Sequence, residues 1–172
     1  MIAEFFIALL TAGLPVGATA FALTWWALRN GYVGEVQGVR DIEREVKRLA
    51  RDKERRRRAD PVQRKWLKLG GGFYGVVAML TLVVIEAGDL WNFLRSFDGL
   101  AAFFNRLSLD LLVGLLVEAI KNTFLAIAWP VYWMDSLEMH NLGAWLLAAW
   151  LGYWGGSALA SRLFRKRLDD RG

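Results

Sequence analysis

Apolar residues concentrate in three long segments of the chain, and charged residues separate these segments. Residues 5–28, 69–85 and 141–161 contain no charged side chain. A helix needs about 17–25 mostly apolar residues to cross the hydrocarbon core of a bilayer. The pattern therefore predicts an all-α integral membrane protein that forms a single membrane domain over 1–172, with about three transmembrane helices at 5–28, 69–88 and 141–161.

The stretch between the second and third segments carries polar residues at helical spacing on an apolar background. Residues 90–107 and 107–129 each show this pattern, which is typical of amphipathic helices. Pro130 should end or kink the second helix near Ala128, since proline cannot continue the hydrogen bonding of a helix. The polar stripe of the second helix consists of Asp110, Gly114, Glu118 and Lys121.

Three arrangements of residues 90–134 are compatible with this pattern. The two helices could lie on the outer surface of the membrane, dip into it from outside as a re-entrant hairpin, or cross it twice. Arg95 and Asp98 fall midway along 90–107, and a charge at the bilayer centre costs at least about 2.5–3.5 kcal/mol. The interfacial and re-entrant arrangements are therefore favoured over two crossings.

Basic residues cluster between the first two apolar segments. Residues 29–68 hold 14 of the 22 Lys and Arg residues, and short loops rich in Lys and Arg stay on the cytoplasmic side of a membrane. We therefore expect this block and the basic tail 162–172 inside the cell, and the N-terminus and residues 90–134 outside. A fourth crossing by 111–134 is the alternative, but it would place the basic tail outside.

The basic block 29–68 is itself predicted to form a cytoplasmic helical hairpin. Residues 35–58 combine heptad-spaced apolar residues with acidic and basic residues four positions apart, which favours a charged amphipathic helix. Asp60 followed by Pro61 is typical of an N-cap and a first helical residue. A second helix should therefore begin at Pro61 and continue into the second span.

Arg55, Arg56, Arg57 and Arg58 form an uninterrupted run of arginines in this hairpin. They could contact anionic lipid headgroups or an acidic face of a partner protein. The simpler interpretation is a topology signal on a solvated helix. No aromatic interleaving or known binding module accompanies the run, so no nucleic acid is expected as a partner.

Small residues recur every four positions along the last apolar segment. Lipid provides no hydrophobic force between helices, so close backbone approach at small residues has to supply the contact. The ladder predicts a helix–helix interface with a partner in this chain or in another one. Three spans offer few internal partners, which favours other membrane subunits or a second copy. The predicted interface comprises Ala144, Ala148, Gly152, Gly156 and Ala160, with Gly71 and Gly75 as a shorter pair in the second span.

The first span carries a similar pair of glycines. Gly13 and Gly17 flank Pro15, and a proline inside a helix removes a hydrogen bond and crowds the preceding turn. The helix should therefore be kinked at this point, most simply as a packing feature.

Candidate chemistry is sparse. The chain has no Cys, which excludes disulfides and thiolate catalysis, and its single His, His140, has no second nitrogen or sulfur ligand for a metal. No nucleophile elbow, phosphate-binding loop or dinucleotide fingerprint is present, so neither catalysis nor a cofactor is expected. Asp110, Glu118 and Lys121 could form a polar pathway if their helix is inserted, or a hydrated face if it lies at the surface.

These observations favour a non-enzymatic integral protein of the bacterial inner membrane that is a small subunit or scaffold of a larger membrane protein complex. The small-residue ladder and the helical hairpin are the main reasons. An oligomeric ion channel or transport component is the alternative, based on the polar stripe. A membrane enzyme is the weakest hypothesis, because only scattered acidic residues such as Glu86 support it.

Overall fold

The computed structural model describes residues 2–31, 39–51, 60–95, 109–136 and 141–170. Every regular element within these ranges is a helix, which confirms the predicted all-α fold class. A π-helical turn, Leu9–Gly13, joins the first two helices into one continuous helix. The helices in chain order are α1 (Ile2–Ala8), α2 (Leu14–Arg29), α3 (Val39–Arg51), α4 (Pro61–Lys68), α5 (Gly72–Arg95), α6 (Leu109–Ile127), α7 (Trp129–Ser136) and α8 (Leu142–Asp169).

Two helical stretches of the described residues, Glu4–Arg29 and Gly72–Arg95, are long and apolar enough to cross a membrane. The bent pair of α6 and α7 would be a third if its two halves formed one span. α8 covers the third predicted span and has 28 residues. Averaged over its whole length it is less apolar than the other two, because its last turns carry Arg162, Arg165, Lys166 and Arg167. The described residues thus contain two or three helices compatible with transmembrane segments.

Two helix ends differ from the prediction. The sequence predicts that the second span ends near residue 88 and that a separate amphipathic helix starts at 90. Instead, α5 runs without a break to Arg95, because Glu86 and Asp89 lie on exposed faces where a helix tolerates them. α8 similarly continues beyond residue 161 to Asp169, so most of the basic tail is helical. The rest of the predicted helix 90–107, residues 96–107, lies outside the described residues.

The basic hairpin and the second span are separate helices, contrary to the predicted continuous one. α4 ends at Lys68 and α5 begins at Gly72. Gly70, Gly71 and Gly72 have φ angles of 104°, 60° and 53°, in the left-handed region that favours glycine. The resulting turn folds α4 back against α5, where a Cβ added to Gly75 would lie 3.1 Å from Trp66.

The first and last long helices touch backbone to backbone along four glycines, which we call the glycine seam: Gly13, Gly17, Gly152 and Gly156. A Cβ added to Gly17 would lie 3.1 Å from the carbonyl oxygen of Gly152. Cβ atoms added to Gly152 and Gly156 would collide with the carbonyl oxygens of Gly13 and Gly17. Backbones this close gain dense van der Waals contact and allow Cα–H groups to approach carbonyl oxygens.

The two helices of the glycine seam run parallel, because their contacts advance along both chains together. Near the start of the first helix, Gly13 meets the backbone of Ala148. Towards the other end, the ring of Trp25 meets Phe164 edge-on, with the ring centroids 5.9 Å apart.

α5 runs in the opposite direction to both of these helices. Phe73, near its start, packs edge-on against Tyr153 near the middle of α8, with a centroid distance of 5.6 Å. Val84, in its second half, lines the same cavity as Thr11 and Leu142, which lie near the starts of the other two helices. We call this latter end of the bundle the acidic end, and the opposite one the basic end. Glu4, Glu86 and Asp89 lie at the acidic end, whereas Arg29, Lys68 and Arg165 lie at the basic end.

Next to Pro15, where the sequence predicts a kink, the helix contains the π-helical turn Leu9–Gly13. The backbone N–H of Leu14 donates to the carbonyl of Leu9, five residues earlier. Pro15 has no N–H of its own, and its ring crowds the carbonyl of Thr11 four residues back. Widening the turn relieves this crowding without ending the helix.

The basic hairpin folds against the basic end of the bundle through α4. Asp60 caps this helix, since its Oδ1 accepts hydrogen bonds from the N–H groups of Val62 at 2.9 Å and Gln63 at 3.1 Å. The predicted N-cap is thereby confirmed. Asp60 Oδ2 also accepts from the indole N–H of Trp26 in α2 at 2.8 Å. The buried amide of Gln63 donates to the carbonyl of Leu23 at 3.4 Å.

α3 completes this packing at the basic end. Val46 is buried, and its side chain occupies the space beside Gly71, where no Cβ is present. The hydroxyl of Tyr153 in α8 donates to the carboxylate of Glu43 at 3.3 Å. The two helices of the hairpin are therefore both anchored to the bundle.

Replacing Gly152 by alanine should destabilise the bundle, because the added Cβ collides with the carbonyl oxygen of Gly13. Overpacking costs about 1–3 kcal/mol, which outweighs the roughly 1 kcal/mol of helix propensity that alanine gains over glycine. Gly155 is the matched control, since its added Cβ would meet nothing within 4 Å. Chemical unfolding in detergent micelles should give a lower midpoint for Gly152→Ala only. Equal midpoints for Gly152→Ala and Gly155→Ala would contradict the glycine seam.

Candidate functional site

α6 and α7 form the most unusual part of the fold, a helix pair that is bent by 87° at Ala128. α6 ends at Ile127, and α7 begins at Trp129 with Pro130 as its second residue. Pro130 has no N–H to continue the hydrogen bonding of α6, whereas Val131 donates to the Ala128 carbonyl at 3.0 Å. The prediction that Pro130 breaks the helix near Ala128 is confirmed.

The contacts of α7 with α5 show the direction in which α7 runs. Trp129, at the start of α7, packs edge-on against Phe73 near the start of α5, with the ring centroids 6.2 Å apart. One turn later, Trp133 donates its indole N–H to the hydroxyl of Thr81 at 2.7 Å. α7 therefore runs in the same direction as α5, towards the acidic end.

α6 approaches the bend from the acidic end. The amide of Asn122 donates to the carboxylate of Asp89 at 2.7 Å, in the second half of α5. Five residues later, the carbonyl of Ile127 accepts a hydrogen bond from the hydroxyl of Tyr74, near the start of α5. α6 thus comes down towards the start of α5, and α7 turns away from it at 87°. The pair is an open V, which we call the α6–α7 hairpin, and such a bend suits a re-entrant loop or a broken span.

A cavity of about 140 Å³ lies between α7 and the three long helices. Trp129, Trp133 and Trp145 form its aromatic wall, and its other sides come from the π-helical turn, α5 and α8. The Thr11 hydroxyl donates to the carbonyl of Ile7 at 2.6 Å, and the Trp133 indole is bonded to Thr81. The cavity resembles in size and character an apolar cavity of ~150 Å³ that stays dry and binds benzene. It suits a small apolar group rather than an ion.

The polar stripe predicted for this region lies mostly on one exposed side of α6. Glu118 and Lys121 are exposed, and neither lines the apolar cavity. A Cβ added to Gly114 would meet nothing within 4 Å. The backbone of Asp110 lies in α6, but its side chain lies outside the described residues. The structure therefore does not bring these charges together with any other candidate group.

The sequence analysis missed Asn122, which is only 6% exposed and bonds to Asp89. The sequence analysis assigned Asn122 to neither side of α6. At 100° per residue, it lies about a quarter turn from the polar stripe. The side of α6 that carries Asn122 contacts α5.

The small-residue ladder finds its partner inside the chain. Ala148, Gly152 and Gly156 meet the first helix at the glycine seam. Ala160 is fully buried, and Ala144 is half-buried. The other predicted pair lies at the basic end of the bundle. There Gly71 leaves room for the side chain of Val46, and Gly75 leaves room for Trp66. These residues form an internal interface and no longer argue for a second subunit. The arginine run 55–58 and His140 lie outside the described residues.

Within the described ranges, no group of three or more His, Cys, Asp or Glu side chains is placed to hold a metal ion. No protein-family model matches the chain, and no curated protein or solved structure shows significant similarity to it. Function therefore has to be argued from the geometry alone.

Replacing Thr81 by valine should loosen α7, because it leaves the indole N–H of Trp133 without an acceptor in an apolar site. An unpaired buried donor costs about 1–3 kcal/mol. Thr81→Ser keeps the hydroxyl and is the matched control. Thermal unfolding in detergent should show a lower midpoint for Thr81→Val than for Thr81→Ser. The hydrogen bond would be irrelevant to stability if the serine variant were the weaker of the two.

Proposed function

We propose that this chain is a non-enzymatic integral protein of the bacterial inner membrane that acts as a small subunit or scaffold of a larger membrane protein complex. One observation carries the proposal. Residues 113–120 of α6 are exposed on every side of the helix within the described part of the chain. Leu116 is 62% exposed on the apolar side, and Glu118 is exposed on the polar side.

Such a helix needs surroundings that suit both of its sides. Glu118 and Lys121 need water, headgroups or protein partners, because ionisable side chains are costly within hydrocarbon. Leu116 and its apolar neighbours need lipid or protein, because contiguous exposed apolar surface typically marks an interaction site. A partner subunit that packs against α6 would satisfy both requirements at once.

The parallel packing of α2 and α8 supports a topology with three crossings. Two parallel helices that both span a membrane must cross it in the same sense. The α6–α7 hairpin adds no crossing, so α5 alone returns the chain between them. Four crossings would instead make the first and last helices antiparallel. With the basic end in the cytoplasm, the N-terminus lies outside and the C-terminus inside.

The alternative function, an oligomeric ion channel or transport component, has weaker support. It requires the polar stripe to line a path, whereas Glu118 and Lys121 do not line the cavity of the bundle. We therefore retain the subunit or scaffold as the proposal.

In mild detergent, the native mass of the purified particle should exceed that of one 19.5 kDa chain with its detergent. Leu116→Ser should reduce the assembled fraction, since it makes the apolar side of α6 more polar. Leu90→Ser is the matched control, because Leu90 is 57% exposed on α5. A strictly monomeric wild-type chain, alone and in membrane extracts, would refute the proposal.

The topology can be tested separately with single cysteines, because the chain has none of its own. Cysteines at Asn30 and Asp170 should be labelled by a membrane-impermeant reagent only from the cytoplasmic side. A cysteine at Asn141 should be labelled only from the opposite side. Labelling of the Asn30 and Asp170 positions from different sides would exclude three crossings.

A further inference from the structure

An open groove of about 310 Å³ lies between α4 and the second half of α6. Lys65 forms one wall, and Ala119, Ile120, Thr123, Phe124 and Ile127 form the other. The groove has about twice the volume of the ~150 Å³ cavity that holds a benzene-sized ligand. The groove is therefore large enough for part of an acyl chain.

The α6 wall of the groove is effectively apolar. Its one hydroxyl, on Thr123, donates to the carbonyl of Ala119 at 2.8 Å. Since a helix turns by about 100° per residue, Thr123 lies on the side of α6 opposite to Glu118 and Lys121. The groove thus runs along the apolar side of α6, away from the polar stripe.

The α4 wall is basic, since Lys65 lines it and two more cations lie on the same helix. α4 carries Arg64, Lys65 and Lys68 and no acidic residue, and all three side chains are exposed. Within the described part of the chain, the ion pairs Arg44–Asp41 and Arg48–Glu45 lie in α3 and involve none of these three side chains. An anion in the groove would meet the positive charge of Lys65.

We propose that the groove binds an anionic phospholipid, with its phosphate at Lys65 and part of an acyl chain along the apolar side of α6. A free phosphate ion would leave the apolar wall uncovered, and a neutral lipid would leave the cations of α4 uncompensated. An anionic phospholipid matches both walls. Anionic lipids of the cytoplasmic leaflet attract basic side chains near the membrane surface, and α4 lies at the basic end of the bundle. The proposal does not depend on assembly with another subunit.

Native mass spectrometry of the full-length protein in detergent can measure binding of phosphatidylglycerol and of phosphatidylcholine with the same chains. Lys65→Gln should weaken phosphatidylglycerol binding about fivefold, which corresponds to about 1 kcal/mol for one basic side chain near an anionic group. Ala119→Trp fills the groove without changing its charge. It should weaken binding about fifteenfold, the loss expected when two methylene groups, each worth ~0.8 kcal/mol, are no longer buried.

Matched controls separate this site from general charge and surface effects. Lys166→Gln removes one exposed positive charge from α8, and Ala87→Trp adds an indole to an exposed position of α5. Neither should change phosphatidylglycerol binding. The proposal would be overturned if Lys166→Gln weakened binding as much as Lys65→Gln. It would also be overturned if phosphatidylcholine bound as tightly as phosphatidylglycerol, or if equimolar inorganic phosphate displaced the lipid.

Discussion

Backbone contact between the first and last long helices is the constraint on which the rest of the structure depends. Four glycines bring the two helices so close that carbonyl oxygens occupy the space of missing Cβ atoms. Because lipid supplies no hydrophobic force between helices, such packing has to be close to be stabilising. The seam fixes α8 beside α2, and α5 packs on both. The cavity and the α6–α7 hairpin are then built on these three fixed helices.

The basic end of the bundle is held by hydrogen bonds in addition to the close contacts at Gly71 and Gly75. The indole of Trp26 bonds to Asp60, and the hydroxyl of Tyr153 bonds to Glu43. Each such bond contributes only about 0.5–1.5 kcal/mol, but together they hold α3 and α4 in one orientation. Asp60 has two roles, since the same carboxylate also caps α4. The direction in which Lys65 points into its groove is set by this anchoring.

Local signals in the sequence predicted the helix ends at Asp60 and Pro130, because an N-cap or a proline acts within one helical turn. The lengths of the segments without charged residues likewise predicted the apolar helices. The three consecutive glycines at 70–72 are also a local signal, and the prediction of one continuous helix overlooked it. The ladder on α8 predicted an interface but not its partner, since a pattern on one helix does not specify the opposing surface. The matching spacing of Gly13 and Gly17 was the available clue.

α6 shows why periodicity alone left the position of a helix open. Surface helices and re-entrant helices have the same alternation of polar and apolar sides, so only long-range contacts distinguish them. Here those contacts are Asn122 with Asp89 and Tyr74 with Ile127, pairs far apart in sequence. They attach α6 to α5, while Asp60 attaches α4 to α2. Two independently attached helices enclose a groove that the described side chains do not fill. The basic and apolar walls of the groove then determine which molecule from the surroundings can fill it.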